Sequence, residues 1–235
     1  MSTLNIYPTQ SAQAQAAADL FIACGIESIR ERGGFRAALS GGRGPRGLFK
    51  NLAGRAASMD WGKVELYWVD ERWVPWSDAD SNYGEAGRIW LDGWATRPSC
   101  FPMYGEGLGL ENAARAYEEL LVGNFGCKLP VFDLVLLGMG QDGHTASLFP
   151  GHASLDETAR LCLGVRQPAT GQERLTLTLP VLNAARRRVF MLGGGEKAAL
   201  LAEILAGGRS DLPAARVRRQ DTLWLADQDA AALMV

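Results

Sequence analysis

Residues 131–147 read VFDLVLLGMGQDGHTAS, and this stretch decides the fold. Its first seven residues are apolar apart from Asp133, without the alternation of a strand that has one wet face. Such a run suits a strand of a parallel sheet covered on both faces. The rest places glycines around Asp142 and His144. Open α/β sheets bind ligands beyond the carboxyl ends of their strands, so polar groups here point to a crevice.

The same layout recurs on either side. Residues 35–39 read as a strand ending in Ser40-Gly41-Gly42, followed by a helix over 45–58 whose proline suits the first turn. Residues 64–69 form a second apolar strand, followed by Asp70-Glu71-Arg72. Residues 188–192 form another, ending in Gly193-Gly194-Gly195, with a helix over 196–206. Helices are also expected over 12–32 and 110–124. Weaker strands are expected over 161–165 and 175–179, and a final strand over 222–226 leads to a short C-terminal helix. The loop at 75–80 is expected to cover a site. This alternation predicts an α/β fold: a doubly wound, mostly parallel Rossmann-like sheet with helices on both faces, in a single domain over 1–235. The four strand ends would converge on one crevice.

At 235 residues the chain can bury one sizeable core. Its formal net charge of −2 gives no global field for nucleic acid or an anionic membrane, so neither is expected as a partner. An anionic substrate would need a local cluster of positive groups. The start lacks a basic segment followed by an apolar run, and the Ala-rich stretch at 11–29 is too interrupted to span a bilayer. A cytoplasmic monomer or small homo-oligomer is expected. Cys24, Cys100, Cys127 and Cys162 are widely spaced, which suits neither a zinc site nor a disulfide scaffold.

Each strand end carries candidate chemistry. In Ser40-Gly41-Gly42-Arg43 the glycines let backbone N–H groups approach an anion at a helix start; a tight turn without ligand is the other reading. Arg72 can clamp an anion or polarise a carbonyl oxygen, with Asp70 orienting it; a solvated loop with a local ion pair is the alternative. His144, expected at or near a helix start, would meet positive potential that keeps the imidazole neutral, fit to act as a general base towards water. Asp142 either orients that ring or caps the helix. His152 is taken as surface or substrate rim. Arg174 lies on a strand of alternating threonine and leucine, where it either reaches an anion or faces solvent. Lys197 falls in a helix's first turn, where the macrodipole disfavours a cation, and a bound anion would offset that mismatch.

Together these segments resemble the 6-phosphogluconolactonase family, within a superfamily shared with glucosamine-6-phosphate deaminase. Gly-Met-Gly-x-Asp-Gly-His-Thr-Ala-Ser-Leu-Phe-Pro-Gly at 138–151 is its most specific part. Asp70-Glu71-Arg72, Ser81-Asn82-Tyr83, Arg174-Leu-Thr-Leu-Thr, Asn183, Gly195-Glu196-Lys197 and the closing Trp224-Leu-Ala-Asp227 also fit, so the likeness runs over 36–231. It implies a lactonase of the oxidative pentose phosphate route that acts on a sugar-phosphate lactone, with no redox cofactor and no obligatory metal. It implies His144, Asp142, Arg72 and Asp70 as catalytic residues. Ser40, Gly41, Gly42, Arg43, Gly140, Arg174 and Lys197 would hold substrate or phosphate. The family's first loop reads Ser-Gly-Gly-Ser-Thr-Pro. Here Arg43 and Gly44 replace the Ser-Thr pair, so a threonine hydroxyl is missing and Arg43 supplies charge instead. Two rivals are weaker. The deaminases carry a glutamate where this chain has Phe149, and a sugar-phosphate sensor would need a DNA-binding segment for which no length is spare.

Overall fold

The apolar runs form the middle of one large sheet in the computed structural model, which describes residues 3–103 and 107–234. Met1, Ser2, residues 104–106 and Val235, all inside the expected 1–235 domain, lie outside the described residues. The strands are β1 (Thr3–Tyr7), β2 (Phe35–Leu39), β3 (Val64–Trp68), β4 (Asp70–Arg72), β5 (Ser99–Phe101), β6 (Leu134–Leu137), β7 (Cys162–Arg166), β8 (Glu173–Leu177), β9 (Arg187–Leu192) and β10 (Thr222–Asp227). The helices are α1 (Gln10–Arg32), α2 (Arg46–Ala53), α3 (Asn82–Ala86), α4 (Leu110–Phe125), α5 (Leu179–Ala184), α6 (Ala198–Leu205) and α7 (Pro213–Arg216).

Seven strands pair in parallel in the order β1-β10-β9-β6-β2-β3-β5. The chain builds outward from β2 through β3 to β5. It then crosses back to β6 and builds the other way through β9 to β10. The topological switch point therefore lies between β2 and β6, where a crevice opens beyond the strand ends. Ser40 stitches it: its N–H and hydroxyl both donate to the Leu136 carbonyl, at 3.1 and 3.0 Å. All four residues of β6 are buried, as a central parallel strand requires. Beyond Phe35, Phe21 meets an aromatic group of Trp61 and Trp90, and Phe190 stacks on Trp224 at 4.0 Å.

The structure corrects several expectations. The second sheet is the largest. β4, β8 and β7 form an antiparallel sheet of their own, so Asp70-Glu71-Arg72 is a strand and not a loop. Pairing makes it one, since Asp70 faces Thr176 and Arg72 faces Arg174 across the ladder. No helix follows Gly138. The Gly140 N–H donates to the His144 carbonyl at 2.9 Å, which is the reverse of the helical direction, and Gly143 and Ala146 have positive φ. His144 therefore begins no helix of its own. The expected C-terminal helix is a series of turns after β10.

Boundaries also move. The helix expected over 45–58 stops at Ala53, before Gly54. The strand expected over 131–137 begins only at Leu134, because Val131 is exposed and the Asp133 carboxylate is taken by the Arg36 N–H and by Arg32. Leu179, expected to end a strand, begins α5. The edge strands β1 and β5 were not expected; β1 has no apolar run and exists by pairing with β10.

Candidate active site

The switch point holds a cavity of about 540 Å³, and all four expected strand ends reach it. Ser40, Gly41 and Arg43 line it from the end of β2, and Asp70 and Arg72 from β4. Gly140, Asp142 and His144 come from the loop after β6, Arg174 from β8, and Lys197 from the turn after β9. Gly42 stands just behind, at φ 80°, with space for a Cβ only 3.9 Å from the Arg72 guanidinium. His152 lies elsewhere, with Nδ1 against the Ser154 hydroxyl at 2.9 Å. The loop at 75–80, expected to cover a site, does not line the cavity, although the Asp80 carbonyl accepts from Arg72 Nη1 at 2.7 Å.

His144 is set by its own loop. Asp142 Oδ1 accepts the His144 N–H at 3.1 Å and lies 2.5 Å from its Nδ1. A carboxylate at Nδ1 requires the proton there, so in the neutral imidazole Nε2 is the nitrogen that carries the lone pair. Asp142 thus orients the ring; it caps no helix. Gly140 makes the arrangement possible, because a Cβ there would stand 2.2 Å from ring atoms of His144. The Phe149 ring packs 5.2 Å from the imidazole, centroid to centroid.

The two sheets meet at Asp70. One carboxylate oxygen accepts the Ser147 hydroxyl at 2.7 Å, and Arg174 Nη1 donates to that same hydroxyl at 3.4 Å. Asn82 donates to the Asp70 carbonyl at 2.9 Å and its carboxylate at 3.4 Å. Burial pulls the Arg174 guanidinium below its usual range, with Arg72 acting in the same direction and Asp70 opposing it. Arg72 keeps its Nε buried without a partner, and Asn82 Oδ1 likewise. Both residues line the cavity.

Arg43 and Lys197 bring two cations to the cavity lining, beside Glu196. Lys197 is partly buried, and burial lowers its ammonium from the usual lysine value; Arg43 adds to this, while Glu196 and Asp227 oppose it. A lysine whose charge is disfavoured by burial and a neighbouring arginine marks a place an anion would stabilise. Pro45, which precedes α2, and Lys197, which precedes α6, both line the cavity, so two helix starts border it. The Gly194 N–H, at φ 92°, is held by the Asp227 carboxylate at 3.1 and 3.2 Å, which also accepts from Ala230 N–H at 2.7 Å.

Sequence reasoning gave no role to Asn82, Ser147 or Asp227. Each acts by a hydrogen bond to a partner distant in sequence, and only their place in quoted motifs marked them. Glu71 is fully buried behind the cavity, and burial pushes its carboxyl up to about 7 against the backbone N–H bonds it accepts. Among the described residues, no group of three or more His, Cys, Asp or Glu is placed to hold a metal ion.

The family described as glucosamine-6-phosphate isomerases/6-phosphogluconolactonase matches residues 8–224. A 6-phosphogluconolactonase of Mycobacterium leprae is 42% identical over 204 residues, covering 83% of each chain. One of Streptomyces coelicolor is 36% identical over 242 residues, covering 97% of this chain and 93% of its own. The solved structure of 6-phosphogluconolactonase from Trypanosoma brucei superposes with a TM-score of 0.88 at 26% identity, covering 100% of this chain and 99% of that one. With these motifs converging on one cavity at the switch point, the chain belongs to the glucosamine-6-phosphate isomerase/6-phosphogluconolactonase family.

Proposed function

We propose that the chain hydrolyses 6-phospho-D-glucono-1,5-lactone to 6-phosphogluconate, the lactonase step of the oxidative pentose phosphate pathway. The observation that carries this is the His144–Asp142 pair, with Nε2 free, in one cavity with Arg43 and Lys197. A base, water and an anchored anion are what hydrolysis of a phosphorylated lactone needs.

In this reading Ser40, Gly41, Gly42, Arg43 and Lys197 hold the 6-phosphate, and its binding energy positions C1. His144 Nε2 takes a proton from water, and the resulting hydroxide equivalent attacks the C1 carbonyl. Charge on the carbonyl oxygen is met by a preorganised donor, and the Arg72 guanidinium, which lines the cavity, is that donor. The tetrahedral intermediate collapses with cleavage of the C1–ring-oxygen bond. The ring oxygen takes the proton from His144 and becomes the 5-hydroxyl, and the carboxylic acid formed at C1 releases its proton to solvent and leaves as a carboxylate. Asp142 holds the imidazole, Gly140 leaves room for it, and Asp70 and Arg174 bind sugar oxygens. The Asp70 carboxylate already accepts from Ser147 and Asn82, and Phe149 packs on His144, which disfavours a deaminase relay at this site. We place the enzyme in the cytoplasm, as one domain over 1–235, a monomer or small homo-oligomer without a nucleic-acid partner. No helix among the described residues is long and apolar enough to cross a membrane.

The test is loss of 6-phosphogluconolactone, generated in situ, measured against the uncatalysed rate. Wild type is expected to exceed that rate, and His144→Ala to lower kcat by a factor on the order of 10²–10⁴. Wild type at the blank rate would refute the activity; near-wild-type turnover in the variant would remove His144 from its role.

A further inference from the structure

Asp70, Glu71 and Arg72 sit on one strand, and successive side chains of a strand point to opposite faces. Asp70 and Arg72 line the cavity; Glu71 turns away from it and is fully buried. Its carboxylate meets four donors. One oxygen accepts the backbone N–H of Arg72 at 2.9 Å and of Asn82 at 2.7 Å. The other accepts the Tyr83 N–H at 2.8 Å and the Ser81 hydroxyl at 3.1 Å.

Two of these donors belong to residues of the cavity wall that lie far apart in sequence, Arg72 and Asn82. Asn82 extends the network, since its amide donates to Asp70. Its side chain also fills the space in front of Gly41, where a Cβ would stand 1.9 Å from Oδ1. One buried carboxylate thus ties β4 to the start of α3, and through Asn82 to Asp70 and the Ser40-Gly41 loop. Without it the N–H groups of residues 72, 82 and 83 would be buried donors, and the segment would shift to satisfy them.

We propose that Glu71 is a positioning residue of the lactonase: it fixes Arg72 and Asn82 at the cavity wall and acts on the reaction through them. This rests on the activity proposed above. A glutamine at 71 keeps the size but presents only one accepting oxygen, so it loses the bonds of the other. An aspartate keeps the charge but is a methylene shorter. Neither Arg43 nor Lys197 is among the donors to Glu71, so both cations remain to meet an anion in either variant.

The experiment measures kcat and KM for Glu71→Gln and Glu71→Asp on in-situ lactone, inhibition by inorganic phosphate, and circular dichroism at the assay temperature. Glu71→Gln is expected to lower kcat about 10- to 100-fold, the scale of a small misplacement of catalytic groups. Its phosphate inhibition constant should rise far less than kcat falls, because Arg43 and Lys197 keep their place and only the Gly41 side of the anion site is loosened. A double-mutant cycle with Arg72→Ala is expected to be non-additive, with Glu71→Gln costing far less once Arg72 is gone. Wild-type kcat in Glu71→Gln, additive effects, or phosphate inhibition lost in step with kcat would each overturn the proposal. If Glu71→Gln does not fold, Glu71→Asp, which keeps the carboxylate but shortens its reach to the four donors, takes its place: a several-fold loss of kcat supports the proposal, and none overturns it. Wild type at the blank rate would instead sink the lactonase reading itself.

Discussion

Two glycines of the site differ in why they are glycine. At Gly140 a Cβ would overlap the His144 ring at 2.2 Å and approach the Asp142 carboxylate at 2.7 Å. Gly140→Ala must therefore push the imidazole off the geometry that frees Nε2. Its backbone φ is not in the left-handed region, so the fold should survive. We expect kcat to fall about 10²-fold with little change in KM, since a displacement near 1 Å has that effect; a kcat within twofold of wild type would show that the ring tolerates the methyl. Gly44 is the opposite case. It lines the cavity, its φ is ordinary, and a Cβ there would have only the Met191 carbonyl nearby, at 3.8 Å. Gly44→Thr should fold normally, gain about 0.4–1 kcal/mol by reducing unfolded-chain entropy, and lower KM by placing a hydroxyl donor on the anion side. An unchanged or raised KM would mean that Arg43 already satisfies the phosphate alone.

At the scale of elements, what could be read from the sequence follows from how each strand is stabilised. β2, β3, β6 and β9 are buried parallel strands, so their side chains alone declare them, and so do the strand ends that carry Ser40, His144 and Lys197. β4 is three charged residues that become a strand by pairing with β8, and no local pattern announces that. The same holds for β1 at the sheet edge. The loop after β6 read as a helix start because Asp142 and three glycines imitate a cap, but the backward Gly140–His144 bond makes a closed turn instead. Arg188 is the sharpest case of an element held from within. It begins the buried part of β9, and its guanidinium donates to the Ala185, Asn183 and Gln220 carbonyls and the Thr222 hydroxyl. Burial lowers its usual value, so removing the cation relieves some desolvation cost. The carbonyls it serves would remain, each costing about 1–3 kcal/mol if left unpaired. Loss should win: Arg188→Met is expected to destabilise by about 3 kcal/mol or more, seen as a lower urea midpoint. An unchanged midpoint would show that water replaces the guanidinium.

For the whole molecule, the switch point explains why residues from 40 to 197 meet. β2 and β6 are adjacent in the sheet, the chain leaves them in opposite directions, and the small antiparallel sheet brings Asp70 and Arg174 to the same opening. That convergence was legible as a rule of α/β sheets; the second sheet that completes it was not. Holding this junction has a cost that pH should reveal. Glu71 titrates at about 7 in the folded protein because it is buried, against about 4.5 for an exposed glutamate. Below pH 4.5 the group is protonated in both states and takes nothing from stability. Between about 4.5 and 7 the unfolded chain releases the proton while the folded protein keeps it, so stability falls as pH rises, by on the order of 3 kcal/mol in all. Above 7 both forms are ionised and this contribution is flat. Glu71→Gln has no such proton, so the stability of wild type relative to the variant should decline across that window, while carboxylates common to both cancel. Urea unfolding of the two proteins at pH 5, 6, 7 and 8 measures the difference directly. Parallel profiles would mean that the four hydrogen bonds to Glu71 hold its carboxyl near its ordinary value, and that the junction is stable with the charge in place.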